Sequence, residues 1–269
     1  MTQDEPTIQN RKPKLPYLEL HLANGCNLNC RGCSHFSPLF DRNSFPDANA
    51  LLWDIARLAA LFDGIGHLRL LGGEPLLNPD LLLILPEIRR LLPESRLTIV
   101  TNGLLADRLG ESFIEAVSHL DIAVRLTSYP ATQQTVRQTA AQYQARGIDA
   151  QASPLTSFFR LFLRKDRKNG FQRCELRHCV LLHNGRLWRC SIAAFISVYN
   201  QAFGCRYPEE AGIDIYDSED GWSLLSKLDL PGELCQFCYD DRTLQPWQQT
   251  NHPLKNDWIA DKAAEDCYG

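Results

Sequence analysis

Cys26–Asn27–Leu28–Asn29–Cys30–Arg31–Gly32–Cys33 places three thiols within eight positions. The stretch follows Leu15–Leu22 (LPYLELHL), which alternates apolar and polar residues as a strand does. The triplet therefore sits in the loop leaving a strand. Three thiols this close form a metal-binding group, and two readings stand. One is a zinc site completed by His35 or a distant cysteine. The other is a cubane iron–sulfur cluster, in which three cysteines leave one iron open for chemistry.

Outward from this loop, strands and helices take turns. Ala48–Phe62 carries apolar residues at helical spacing after the turn-like Phe45–Pro46–Asp47. His67–Leu71 is a short apolar strand ending at Gly72–Gly73, and Asp80–Leu92 reads as a helix entered through Asn78–Pro79. Arg96–Thr101 is a strand closed by Asn102–Gly103, followed by a helix at Leu109–Leu120 and a strand at Asp121–Leu126. Ala131–Arg146 is helical and leads to a strand near Ile148–Ala152. Such alternation builds βαβ units and a parallel sheet. The pattern then changes. Ser157–Gly170 is basic and aromatic, and His183–Asn184–Gly185 between Val180–Leu182 and Arg186–Cys190 predicts a hairpin. A small β appendage is expected after the α/β region.

Composition narrows the function. With 269 residues, 44% hydrophobic and 22% charged, the chain is long enough to bury about three quarters of its surface without disulfide staples. It is neither disordered nor collagen-like. Its 28 Lys+Arg against 32 Asp+Glu give a net charge of -4, which argues against a nucleic-acid partner. Apolar runs such as Leu81–Leu85 are too short to span a membrane. The polar opening MTQDEPTIQNRKPK lacks the apolar core of a signal peptide, so a cytoplasmic location is expected. Without secretion, disulfides are disfavoured for the ten cysteines, and metal or iron–sulfur ligation is the better reading.

Three segments together resemble the radical S-adenosylmethionine (radical SAM) superfamily. They are the Cys26/Cys30/Cys33 triplet, Leu71–Gly72–Gly73–Glu74–Pro75 after the second strand, and Thr101–Asn102–Gly103 after the third. The resemblance covers about residues 15–155. It implies a 4Fe–4S cluster on Cys26, Cys30 and Cys33, with SAM on the open iron. It also implies cofactor contacts from Gly72, Gly73 and Glu74, and a ribose contact from Thr127 or Ser128. Glycines suit a close backbone approach because they carry no Cβ. One departure stands out: the family carries an aromatic residue just before the third cysteine, where this chain has Gly32, and His35 or Phe36 is the expected substitute beside the adenine.

Cys174, Gly185 and Cys190 are spaced like the opening of the SPASM and twitch extensions that hold auxiliary clusters, and Cys235–Gln236–Phe237–Cys238 completes a twitch-like set. A second 4Fe–4S cluster on Cys174, Cys190, Cys235 and Cys238 follows from that likeness, with Cys179 as the substitute for Cys174 and a structural zinc as the alternative. Cys205 and Cys267 are read as inert thiols. Between the two regions lie Arg160, Arg164, Lys165, Arg167, Lys168, Arg173 and Arg177, a solvated basic face or, through Arg160 or Arg173, a substrate contact.

The implied architecture is α/β: a flexible arm over 1–14, a partial (β/α)6 TIM-like barrel over 15–155, a connecting segment over 156–173, and a twitch-like β-hairpin/helix domain over 174–269. The implied function is a radical SAM oxidoreductase that dehydrogenates a carbohydrate-like or aminocyclitol-like small molecule. Flavodoxin or ferredoxin would supply electrons. A peptide maturase or epimerase is the alternative, and a zinc-stabilised interaction protein the remote one. An epimerase would draw its thiol hydrogen from Cys205 or Cys267.

Overall fold

The computed structural model describes residues 11–159, 170–238 and 244–259. Arg160, Arg164, Lys165, Arg167, Lys168 and Cys267, and all but the end of the N-terminal arm, lie outside them.

Five parallel strands form the frame: β1 (Leu15–Ala23), β2 (Ile65–Gly72), β3 (Arg96–Thr101), β4 (Ile122–Ser128) and β5 (Ala150–Leu155). Crossover helices join them: α1 (Ala48–Leu61), α2 (Leu81–Leu91), α3 (Gly110–His119) and α4 (Gln133–Ala145). Each helix starts where local chemistry allows. The Asp47 carboxylate accepts the Ala50 N–H at the head of α1, satisfying one of its orphan donors. Asn78 ties the entry to α2 down to β1, because its Nδ2 donates to the Leu22 carbonyl at 2.6 Å. Apolar faces such as Leu51, Ile55 and Leu58 of α1 then pack on Leu18, Leu20 and Leu22 of β1 in one large core.

Strand alternation sends the other residues of β1, Tyr17, Glu19 and His21, to the opposite, concave face. Register pairs Glu19 of β1 with Arg69 of β2. The barrel lumen is therefore charged while the helix side is apolar.

Four β/α units and a fifth strand follow in series, and the parallel part of the sheet reaches six strands. A sixth parallel strand is added at the other edge of the sheet: β6 (Ser157–Phe159) leaves the sheet, and after α5 (Gly170–Arg173), β7 (Leu181–His183) pairs with β1. Strands β8 (Arg186–Trp188) and β9 (Ile213–Asp214) continue outward, giving the order β5-β4-β3-β2-β1-β7-β8-β9. The expected hairpin forms, with Asn184 and Gly185 both at positive φ (50° and 70°). Yet it extends the barrel sheet instead of standing apart. Asp54 of α1 secures it by accepting the Gly185 N–H at 2.8 Å and the Tyr216 hydroxyl at 2.8 Å.

Helix α6 (Ser191–Phe203) was not foreseen, although Ile192, Phe195, Ile196 and Tyr199 follow helical spacing. They build a second core with Phe36, Phe237 and Trp258. Helix α7 (Gly221–Leu228) follows β9, and β10 (Leu244–Pro246) pairs with β6.

Candidate active site

At the C-terminal ends of β1–β4 lies a cavity of about 230 Å³. Cys26, Cys30 and Cys33 line it together with Gly72, Gly73, Thr101, Asn102, Thr127 and Tyr129. Sheet geometry requires this convergence, since the loops after successive parallel strands open at one end. Burial pushes the Cys26 thiol up to about 12 and raises Cys30 and Cys33 as well, so all three are neutral until a cation draws off their protons. Among the described residues, no group of three or more His, Cys, Asp or Glu side chains is arranged to hold one metal ion. A cubane makes a different demand. Each thiolate takes its own iron, so the sulfurs stand farther apart than around a zinc with Zn–S of about 2.3 Å. Three thiols facing one cavity fit that cluster.

The Gly–Gly–Glu segment shapes this cavity from below. A Cβ on Gly72 would collide with the carbonyl oxygen of Ala23, and one on Gly73 with that of Gly25. Gly73 N–H donates to Ala23 and Glu74 N–H to Gly25. Close approach of β2 to the loop that follows β1 therefore demands both glycines before any ligand is considered. Glu74 departs from the expected cofactor contact. It is fully buried, does not line the cavity, and its carboxylate accepts from the Thr101 hydroxyl (2.6 Å), the Asn102 N–H (2.8 Å) and the Leu76 N–H (3.1 Å). Burial raises its pKa to about 7 against the pull of those donors. Glu74 is a brace between β2 and β3.

The pair Thr127/Ser128 also separates. Thr127 lines the cavity, whereas Ser128 is fully buried and donates to the Ser153 carbonyl at 2.7 Å. Neighbours on a strand point to opposite faces, so only one of them reaches the cavity. Two asparagines had no role in the sequence: Asn102 Nδ2 donates to Asn27 Oδ1 at 2.7 Å, fastening the loop over 26–33 to the end of β3. The Thr101–Asn102–Gly103 signal was present, but its partner sits in the triplet itself.

Deeper in the lumen, Glu19 and Arg69 line the same cavity. The Tyr17 hydroxyl donates to Glu19 at 2.6 Å, Arg69 donates to Tyr17 at 3.1 Å, and Arg69 stands 3.8 Å from Glu19. Desolvation raises the Glu19 pKa. Of the two expected stand-ins beside the adenine, His35 lines the cavity, its Nδ1 2.7 Å from His21 Nε2. Burial lowers His35 to about 4, so it is neutral. Phe36 is turned away, packed against Tyr199 and Trp258 in the second core.

The second cysteine set gathers around the foot of α6. Cys190 caps that helix, Cys174 follows α5, and Cys235 and Cys238 lie on and just after the turn Glu233–Phe237. The thiols of Cys174, Cys190, Cys235 and Cys238 are close enough to influence one another electrostatically in every pairing. Cys179 has other neighbours, namely Glu19, Arg69 and only Cys174 among the cysteines. Cys205 is disulfide-bonded, not the free inert thiol expected, and Arg173 is exposed and away from the cavity.

Residues 20–142 match the model of the Radical SAM superfamily, whose cofactors are a 4Fe–4S cluster and SAM. Over 96 residues the chain is 38% identical to human molybdenum cofactor biosynthesis protein 1, covering 35% of this chain and 15% of that protein. It is 29% identical over 140 residues to the GTP 3′,8-cyclase of Campylobacter jejuni strain RM1221, covering 51% and 43%. The chain thus spans less than half the length of either relative. A crystal structure of BtrN in complex with AdoMet and 2-DOIA superposes with a TM-score of 0.50 at 16% identity, covering 89% of this chain and 96% of that one. That likeness shows the shared fold. No helix among the described residues is long and apolar enough to cross a membrane.

Proposed function

We propose, from the premise that residues 20–142 are a radical SAM domain, that this protein dehydrogenates a polar, carbohydrate-like or aminocyclitol-like small molecule. When bound, the cluster and SAM would supply the radical chemistry that removes a hydrogen atom from a substrate C–H bond. The chain's own residues do the rest. Cys26, Cys30 and Cys33 hold the cluster, and Asn27 and Asn102 keep its loop against β3. Gly72, Gly73 and Thr127 leave room for SAM along the strand ends. Glu19 and Arg69 offer an acceptor and a donor to hydroxyl or amino groups in the lumen.

The observation that carries this reading is the single cavity joining the three thiols to that polar pair. Oxidation to a ketone also needs an outlet for a second electron. The gathered thiols of Cys174, Cys190, Cys235 and Cys238 support an auxiliary 4Fe–4S cluster in that role, with flavodoxin or ferredoxin reducing the first.

The test is anaerobic turnover in D2O with aminocyclitol and sugar candidates. A product two mass units lighter, unlabelled at the oxidised carbon, supports the dehydrogenase. A product of unchanged composition with one deuterium at an inverted carbon overturns it in favour of epimerisation.

A further inference from the structure

The loop carrying Cys26, Cys30 and Cys33 is clasped by residues more than two hundred positions away. Residues 247–258 run across it. Arg31 N–H donates to the Gln248 carbonyl at 2.8 Å, Thr250 N–H donates to the Asn29 carbonyl at 2.9 Å, and Cys30 forms an antiparallel bridge with Gln249. The Arg31 guanidinium pairs with Asp257 at 2.5 Å. Trp258 Nε1 donates to the Cys33 carbonyl at 2.8 Å. Gly32 is left-handed at φ 73°, and a Cβ there would stand 2.9 Å from the Asp257 carbonyl oxygen. Glycine just before the third cysteine thus makes room for this segment.

One member of the segment touches a ligand sulfur. Trp247 Nε1 lies 3.1 Å from Cys30 Sγ, and its ring sits 5.3 Å from that of Tyr129, which lines the cavity. Cys30 is only 6% exposed, so the indole N–H meets the sulfur out of competition with water. Hydrogen bonds to cluster sulfurs are among the factors that set reduction potential. A donor draws electron density from the thiolate and eases acceptance of another electron.

We propose that Trp247 is a positioning residue that raises the reduction potential of the cluster on Cys26, Cys30 and Cys33 through its hydrogen bond to Cys30. The inference rests on the assignment of that cluster and does not depend on the substrate. Its test is an EPR-monitored redox titration of the reconstituted full-length protein, with iron and sulfide quantified. Trp247→Phe keeps an aromatic ring beside Tyr129 and removes the donor. Its midpoint is expected to fall, making the reduced fraction at a fixed potential near the wild-type midpoint about tenfold smaller in ratio, a shift of 59 mV for one electron. Trp247→His, which restores a ring N–H, is expected to recover part of the shift. An unchanged midpoint in a fully loaded Phe variant overturns the proposal. Loss of the cluster from both variants also overturns it, because donor chemistry is then not what matters. Wild-type protein that binds no iron at the triplet sinks the cluster assignment itself, a separate result.

Discussion

Thr101 Oγ1 donates to Glu74 Oε1 at 2.6 Å, joining the ends of β2 and β3 beneath the cavity. With the Asn102 and Leu76 N–H groups, it leaves the buried carboxylate surrounded by donors. Glu74→Gln puts an NH2 group where only acceptors suit. It is expected to cost about 1–3 kcal/mol of stability, the usual penalty for leaving a buried polar group unmatched, read by urea denaturation of the apo protein. Unchanged stability with weakened SAM binding alone would instead restore Glu74 as a direct cofactor contact.

Gly73→Ala tests the same corner from the backbone side. Its methyl group would meet the Gly25 carbonyl, so stability is expected to fall by about 1–3 kcal/mol or more even without SAM. A variant as stable as wild type, impaired only in SAM affinity, contradicts the packing account.

Removal of Cys26, Cys30 and Cys33 together by alanine is expected to abolish 5′-deoxyadenosine formation from SAM and to lower iron by about one cluster, four irons, since all three protein ligands are lost. Persistent cleavage by the triple variant rules out this loop as the site.

For the second set, Cys235→Ala with Cys238→Ala is expected to remove about four irons while SAM cleavage partly survives, because the catalytic loop is untouched. Cys179→Ala should leave iron content unchanged, since Cys179 neighbours Glu19, Arg69 and, among the cysteines, only Cys174. Equal iron loss from Cys179→Ala and Cys174→Ala shows that the gathering around α6 is not the ligand set. Stoichiometric zinc in place of iron revives the structural-metal alternative.

Asp54→Ala removes the acceptor for both the Gly185 N–H and the Tyr216 hydroxyl. A loss of about 1–3 kcal/mol is expected. In a thermal melt, hairpin-borne Trp188 fluorescence should change before the strand signal by circular dichroism. Coincident transitions at the wild-type midpoint count against the hairpin depending on α1.

Much of the frame was legible because its signals are local. Periodicity placed α1–α4 and β1–β5 to within a few residues, and Asn184–Gly185 marked the hairpin turn. The sheet edge that the hairpin joins was not legible: Leu181 and Leu182 are equally apolar whether they pair with β1 or fold apart. Helix α6 has plain apolar spacing, but nothing local marks which core its face joins.

The sequence by itself determined that three thiols share one loop, because cysteines within eight residues are neighbours in any fold of that loop. It also determined that glycines and an asparagine end successive strands. Only the tertiary structure decided which side chains face the cavity. It turned Thr127 inward and Ser128 toward β5, and it bound Glu74 to Thr101 and Asn102 instead of a ligand. It alone brought Trp247 to Cys30 and Asp257 to Arg31. Contacts across more than two hundred residues depend on how the second core packs around Trp258, and no spacing rule along the chain records that packing.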